Sequence, residues 1–111
     1  MENCVFCNIA HKIIEKELLY EDQDIVAFHD LLPKAPVHLL IISKEHIPSV
    51  TRLQEKHQSL VGKMILIAKK LAEESNISES GYKLIYNVGK DGGQVIQHLH
   101  LHVLGGKKLP E

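Results

Sequence analysis

His98-Leu99-His100-Leu101-His102-Val103-Leu104 decides the reading of this chain, because histidine and apolar residues alternate along it without a break. In an extended strand, residues two apart point to the same face. His98, His100 and His102 therefore project together, with neighbouring Cα atoms about 6.5–7 Å apart. Leu99, Leu101 and Val103 face the other way, into a core. Three imidazoles on one exposed face gain nothing in packing. The spacing leaves two chemical readings: a metal-binding set, or a nucleophilic imidazole with its supports.

Immediately upstream lies Asn87-Val-Gly-Lys-Asp-Gly-Gly-Gln94. Its glycines permit positive φ and let main-chain amides approach a ligand closely. A glycine-rich turn feeding a histidine strand is suited to holding a phosphate beside an imidazole. Further out, residues 18–21 and 25–28 are short β-competent runs around Asp22-Gln23-Asp24, which reads as a hairpin. Pro33 to Pro36 interrupts regular structure. Residues 38–42 form a buried-strand run, and 82–87 another strand. Residues 54–75 carry apolar side chains at Leu60, Val61, Met64, Ile65, Ala68, Leu71 and Ala72, near a 3.6-residue period. Ser49 or Thr51 is the expected cap of this helix, and Asn76 its expected end. Five strands with one main helix after the third describe an α+β fold with an antiparallel sheet.

The chain has 111 residues, which fits one domain over 1–111. Hydrophobic residues make up 44% and charged residues 24%, an ordinary globular mix that excludes a disordered polar chain. A net charge of -1 supplies no field to hold a long nucleic acid or an anionic membrane. Any phosphate must be caught locally. The N-terminus lacks the pattern of a signal peptide, and no apolar run reaches the roughly 20 residues needed to span a bilayer. The expected location is the cytoplasm, where thiols stay reduced. Cys4 and Cys7 are then half of a metal site, a redox pair, or neither. Only three residues precede Cys4, which does not suit a redox motif opening a helix after a buried strand. Of the eight histidines, His57 and His11 read as surface residues, and His29 points to the face opposite Asp30.

Residues 92–106, Gly-Gly-Gln-Val-Ile-Gln-His-Leu-His-Leu-His-Val-Leu-Gly-Gly, resemble the histidine triad (HIT) signature, and the flanking glycines resemble its Hint branch. Phe28-His-Asp-Leu-Leu-Pro-Lys-Ala-Pro-Val-His38 and Lys44-Glu-His-Ile47 resemble a second block of the same family. The likeness runs from about Cys4 to Gly106. It implies a HIT fold with a short N-terminal helix and a homodimer whose sheets join into one. It also implies hydrolysis of purine nucleoside 5′-monophosphoramidates. By position, His100 matches the family nucleophile, which attacks the α-phosphorus and forms a nucleotidyl-histidine. His102 and His38 match its flanking residues, expected to hold its tautomer and to carry the proton for the leaving amine. Asp30 matches the ribose-binding carboxylate, and Phe28 and Leu31 the base-flanking residues. For Phe28, core packing is an equal reading. Asn87, Gly93, Gln94 and Val95 match the phosphate and leaving-group side.

Many bacterial members and related uridylyltransferases also resemble this chain in an early Cys-x2-Cys. The likeness implies a structural zinc held by Cys4, Cys7, His46 and His98. Val95 departs from the eukaryotic pattern, which has a phosphate-contacting serine there. The residues after Gly106 are fewer than in many members, which leaves the leaving group open. A dinucleoside polyphosphate hydrolase is the rival enzyme, and a zinc-stabilised nucleotide-binding module the rival without turnover.

Overall fold

The fold was analysed in a computed structural model that describes residues 3–111. Its elements are α1 (Val5–Ala10), β1 (Tyr20–Glu21), β2 (Ile25–His29), β3 (Val37–Ser43), α2 (Gln58–Glu74), β4 (Tyr82–Ile85) and β5 (His100–Gly105). Two single 3-10 turns, Val50–Arg52 and Glu55–His57, precede α2. All strand pairs are antiparallel, in the order β1-β2-β3-β5-β4. The expected five-stranded antiparallel sheet is therefore present, with β5 inserted between β3 and β4.

Register divides the side chains between two faces. Odd-numbered Ile25, Ala27, Leu39, Ile41, Leu101 and Val103 pack with Met64, Ala68, Leu71 and Ala72 of α2. Even-numbered Val26, Phe28, Leu40 and Ile42 pack with Phe6, Ile9 and Ala10 of α1. The periodicities of 2 in the strands and 3.6 in the helix thus give the sheet two apolar clusters, one against α2 and one against α1. The histidines lie on the α1 face. That face is covered rather than open, which corrects the expectation of exposed imidazoles: His98 is 0% and His100 8% exposed.

Local chemistry sets the ends of elements. One Asp22 carboxylate oxygen accepts the amides of Asp24 at 2.8 Å and Ile25 at 3.0 Å, closing the β1–β2 turn. Lys63 of α2 reaches both Asp22 and Asp24, at 3.0 and 2.8 Å, and pins the hairpin to the helix. The helix ends as Asn76 predicts. Asn76 adopts φ +60°, its amide bonds the Glu73 carbonyl, and the Ile77 amide bonds that of Ala72. Its start differs from expectation. Ser49 caps only the first 3-10 turn and makes no side-chain capping bond, while Thr51 lies inside that turn. Helix α2 itself, with His57 at its N-cap position, has no side-chain capping bond. The capping box lies one turn earlier: Gln54 and His57, whose side chains each accept the other's main-chain amide, close the second 3-10 turn that leads into α2. That use of the ring explains why His57 is buried, at 6% exposure, rather than a surface residue.

Candidate active site

β5 begins at His100, two residues later than the alternation predicts. The His98 amide bonds the Ile96 carbonyl in a tight bend, and the Leu99 amide bonds the Ile47 carbonyl at 2.7 Å. His98 is thereby taken out of the strand ladder, yet its ring stays on the same side as that of His100. Phe6 of α1 meets both edge-on, with ring centroids 5.9 Å from His98 and 5.1 Å from His100.

The tautomer of His100 follows from one contact. Its Nδ1 lies 2.6 Å from the carbonyl oxygen of His98. A carbonyl only accepts, so Nδ1 carries the proton and neutral His100 keeps a lone pair on Nε2. This corrects the expectation that His102 and His38 hold that tautomer; the His98 main chain does.

His38 and His102 form a second chain of bonds. His38 pairs with Leu104 and Leu40 with His102, so the two imidazoles are diagonal neighbours across β3 and β5. The Lys34 amide donates to His38 Nδ1 at 3.0 Å, which places the His38 proton on Nε2. That N–H faces His102 Nδ1 at 2.9 Å and Asp30 Oδ2 at 3.3 Å. The shorter contact takes the bond. His102 Nδ1 then accepts, and its own proton sits on Nε2. Burial pushes His38 below its ordinary range, against the pull of Asp30. Burial, aided by neighbouring His100 and His38, pushes His102 down to about 4. Both rings are therefore neutral near pH 7. The rings of His100 and His102 stand 5.0 Å apart at 66°. Asp30, His38 and His102 also lie close enough to be weighed as metal ligands. The Lys34 bond argues against it, since a metal on Nε2 would leave His38 with no proton on either nitrogen.

The ligating atoms of Cys4, Cys7, His46 and His98 converge within 4.8 Å of one another. Cys4 Sγ is 3.3 Å and Cys7 Sγ 3.5 Å from His98 Nδ1. His46 Nδ1 is 3.1 Å from Cys7 Sγ and 3.2 Å from His98 Nδ1. Tetrahedral zinc bonds would separate such donors by about 3.3–3.8 Å, so the set fits a zinc ion with small adjustments. The second layer fits too. His98 Nε2 donates to the Ser43 carbonyl at 2.6 Å, which leaves its Nδ1 lone pair facing the thiols. Burial, then the neighbouring Cys4, pushes the Cys7 thiol up to about 11, and burial pushes His98 down to about 4. A divalent cation reverses the first tendency and suits the second.

A family profile described as "Scavenger mRNA decapping enzyme C-term binding" matches residues 3–109. The chain is 45% identical over 105 residues to Protein HitA of Neisseria gonorrhoeae, covering 95% of this chain and 97% of that one. It is 41% identical over 108 residues to a purine nucleoside phosphoramidase of Escherichia coli, covering 97% and 91%. Its fold matches a HIT family hydrolase from Legionella pneumophila with TM-score 0.95 at 44% identity, covering 97% and 96%. The chain belongs to the histidine triad family. Hydrolase chemistry on nucleotides is the activity that these HIT relatives support.

The remaining residues carried over from the HIT signature have defined places. Phe28 is 2% exposed, edge-on to Phe6, with the Lys16 ammonium 5.4 Å from its ring centre; it packs as core. Leu31 is 82% and Val95 88% exposed. Asn87 donates to the Gly92 carbonyl, and Gly93 adopts φ +79°. A β-carbon on Gly92 would lie 2.3 Å from the Val88 carbonyl oxygen, so only glycine fits this turn. Gln94 donates to the Pro48 and Ile96 carbonyls and accepts the Gly89 amide. Its amide hydrogens are committed to shaping the loop. Sequence reasoning missed Phe6, Ser43 and the Lys34 amide. Phe6 had a signal, since it stands between the two cysteines.

Proposed function

We propose that this HIT protein hydrolyses purine nucleoside 5′-monophosphoramidates through a nucleotide bound to His100 Nε2. The observation that carries the reading is the 2.6 Å bond from His100 Nδ1 to the His98 carbonyl, which aims the free lone pair away from the main chain. In the first step Nε2 attacks the α-phosphorus and the bond from phosphorus to nitrogen breaks. The positive charge that develops on His100 is stabilised by the His98 carbonyl. A bound phosphate anion beside His102 favours protonation of His102 Nδ1, the His38 Nε2–H then turning to Asp30 Oδ2 at 3.3 Å. The doubly protonated His102 gives its Nε2 proton to the departing amine. In the second step water attacks phosphorus, the bond from phosphorus to His100 breaks, and the proton of the water returns to His102.

Asp30 retains lone pairs for the ribose hydroxyls. Leu31 is open to flank the base, Phe28 stays in the core, and the loop from Asn87 to Val95 takes the phosphate side. A zinc held by Cys4, Cys7, His46 and His98 would neutralise the two thiolates and tie α1 to the residues before β5. Both cysteines are unpaired thiols, which fits a reducing cytoplasm. Strand β4 lies at the sheet edge with Leu84 39% exposed, which supports a homodimer formed by joining sheets there.

Steady-state turnover of adenosine, guanosine and cytidine 5′-phosphoramidates, with diadenosine polyphosphate alongside, tests the substrate. The reading expects the purine phosphoramidates to be hydrolysed fastest. Preferential cleavage of the dinucleotide would assign the protein to the rival enzyme class.

A further inference from the structure

We propose that the Cys4/Cys7/His46/His98 cluster positions the catalytic imidazole, by fixing the His98 main chain and by seating Phe6 against the His100 ring. This rests on the reading of His100 as the nucleophile. The inference goes beyond a staple for the N-terminus, because two separate connections run from the cluster to one ring.

The first connection is His98 itself. Its residue is fully buried and every polar group is engaged. Nδ1 faces the thiols, Nε2 bonds the Ser43 carbonyl, the amide bonds the Ile96 carbonyl, and the carbonyl takes the His100 proton. His98 lies outside the ladder, since pairing of β5 with β3 starts at His100 opposite Ile42. The sheet therefore does not orient its carbonyl. The ring contacts do, together with the Leu99 bond to Ile47, the residue next to the ligand His46. The second connection is Phe6. It stands between Cys4 and Cys7 in sequence, so fixing both thiols fixes its backbone. Its ring meets His100 at 5.1 Å and His98 at 5.9 Å. Protonated thiols would hold His98 only through weak S–H bonds to Nδ1. With zinc bound, the same thiolates and imidazoles become a rigid frame, and Phe6 and the His98 carbonyl inherit its order.

The test uses full-length protein carrying 15N-labelled histidine, with the His100 ring signals assigned by their loss in His100→Ala. Ring nitrogen shifts and exchange of the Nδ1 proton are compared in the zinc-loaded protein and after removal of zinc by a chelator. Formation of nucleotidyl-His100 is timed in the same samples. The proposal expects a single Nδ1–H tautomer with a slowly exchanging proton when zinc is present. Without zinc it expects mixed tautomers, fast exchange and intermediate formation slower by about tenfold or more. A stripped protein that stays folded, with unchanged His100 signals and rate, would overturn it. Should stripping unfold the chain, Phe6→Leu decides, because it leaves all four ligands in place. Retained zinc with slower transfer and a loosened His100 ring supports the proposal, and retained zinc with neither change overturns it. If His100 signals follow zinc while no nucleotide ever attaches, the nucleophile reading fails and the link from cluster to ring stands.

Discussion

At the scale of single residues, His102 and His100 are separable by the leaving group. His102→Ala removes the N–H assigned to the departing amine, so hydrolysis of alkylamine phosphoramidates should slow by about 10²–10⁴-fold. Substrates whose leaving group needs no proton should lose far less. Equal losses with both, in single-turnover kinetics, would contradict the proton-donor role. Buried histidines also set an acid limit on stability. His102 is held near 4 and His38 below its ordinary range, against about 6.5 in an unfolded chain. Between those values the unfolded state binds more protons, so stability is full above about pH 6.5 and falls as pH drops towards 4. Thermal midpoints across that window should show this decline, and His102→Phe should make it shallower, with His38 keeping its share. Whereas His98 lies before the strand, His100 and His102 were legible from spacing alone as residues of one strand face. Their tautomers were not, because the deciding partners are the main-chain groups of His98 and Lys34, which alternation cannot reveal.

At the scale of elements, the hairpin of β1 and β2 is held by Asp22. Burial alone would raise its carboxyl, yet the Asp24 amide, the Lys63 ammonium and the Ile25 amide together hold it at about 2. Asp22→Ala leaves two turn amides without their acceptor and should lower stability by about 1–3 kcal/mol in urea titrations. Catalytic rate per folded molecule should be preserved, since the hairpin turn lies among none of the site residues. The loop before β5 behaves oppositely. Gly92→Ala drives a β-carbon into the Val88 carbonyl, so the turn must open and the proposed phosphate-side loop must move with it. Elements with strong periodicity, α2 and the sheet strands, could be placed from sequence. The start of α2 could not, because Gln54 and His57 cap the 3-10 turn that leads into it and the helix itself has no side-chain cap, while a serine and a threonine nearby offered the commoner signal. His98 also leaves the strand pattern, its amide turning to the Ile96 carbonyl while its ring lies between the thiols and the Ser43 carbonyl.

At the scale of the whole molecule, the sheet has two unlike faces, and the helices assign them. Helix α2 closes one face into a core, while on the other face α1 packs on His98 and His100 and the 30–36 segment contacts His38. Alternation and periodicity could not show that α1 lies over His98 and His100, since the contacts join residues more than ninety positions apart; only the resemblance, through its Cys4, Cys7, His46 and His98 set, pointed there. Strand β4 is an unpaired edge. Sedimentation should find a dimer for the wild type and a shift to monomer for Leu84→Glu, whose like charges would face each other across a joined sheet. A monomeric wild type would contradict that assembly. The central claim is the covalent one, and intact mass read within the first turnover tests it most directly. Protein mixed with adenosine 5′-phosphoramidate and quenched early should gain the mass of one adenylyl group on His100, and His100→Ala should gain none. Release of AMP by both proteins alike, with no added mass on either, would contradict the account.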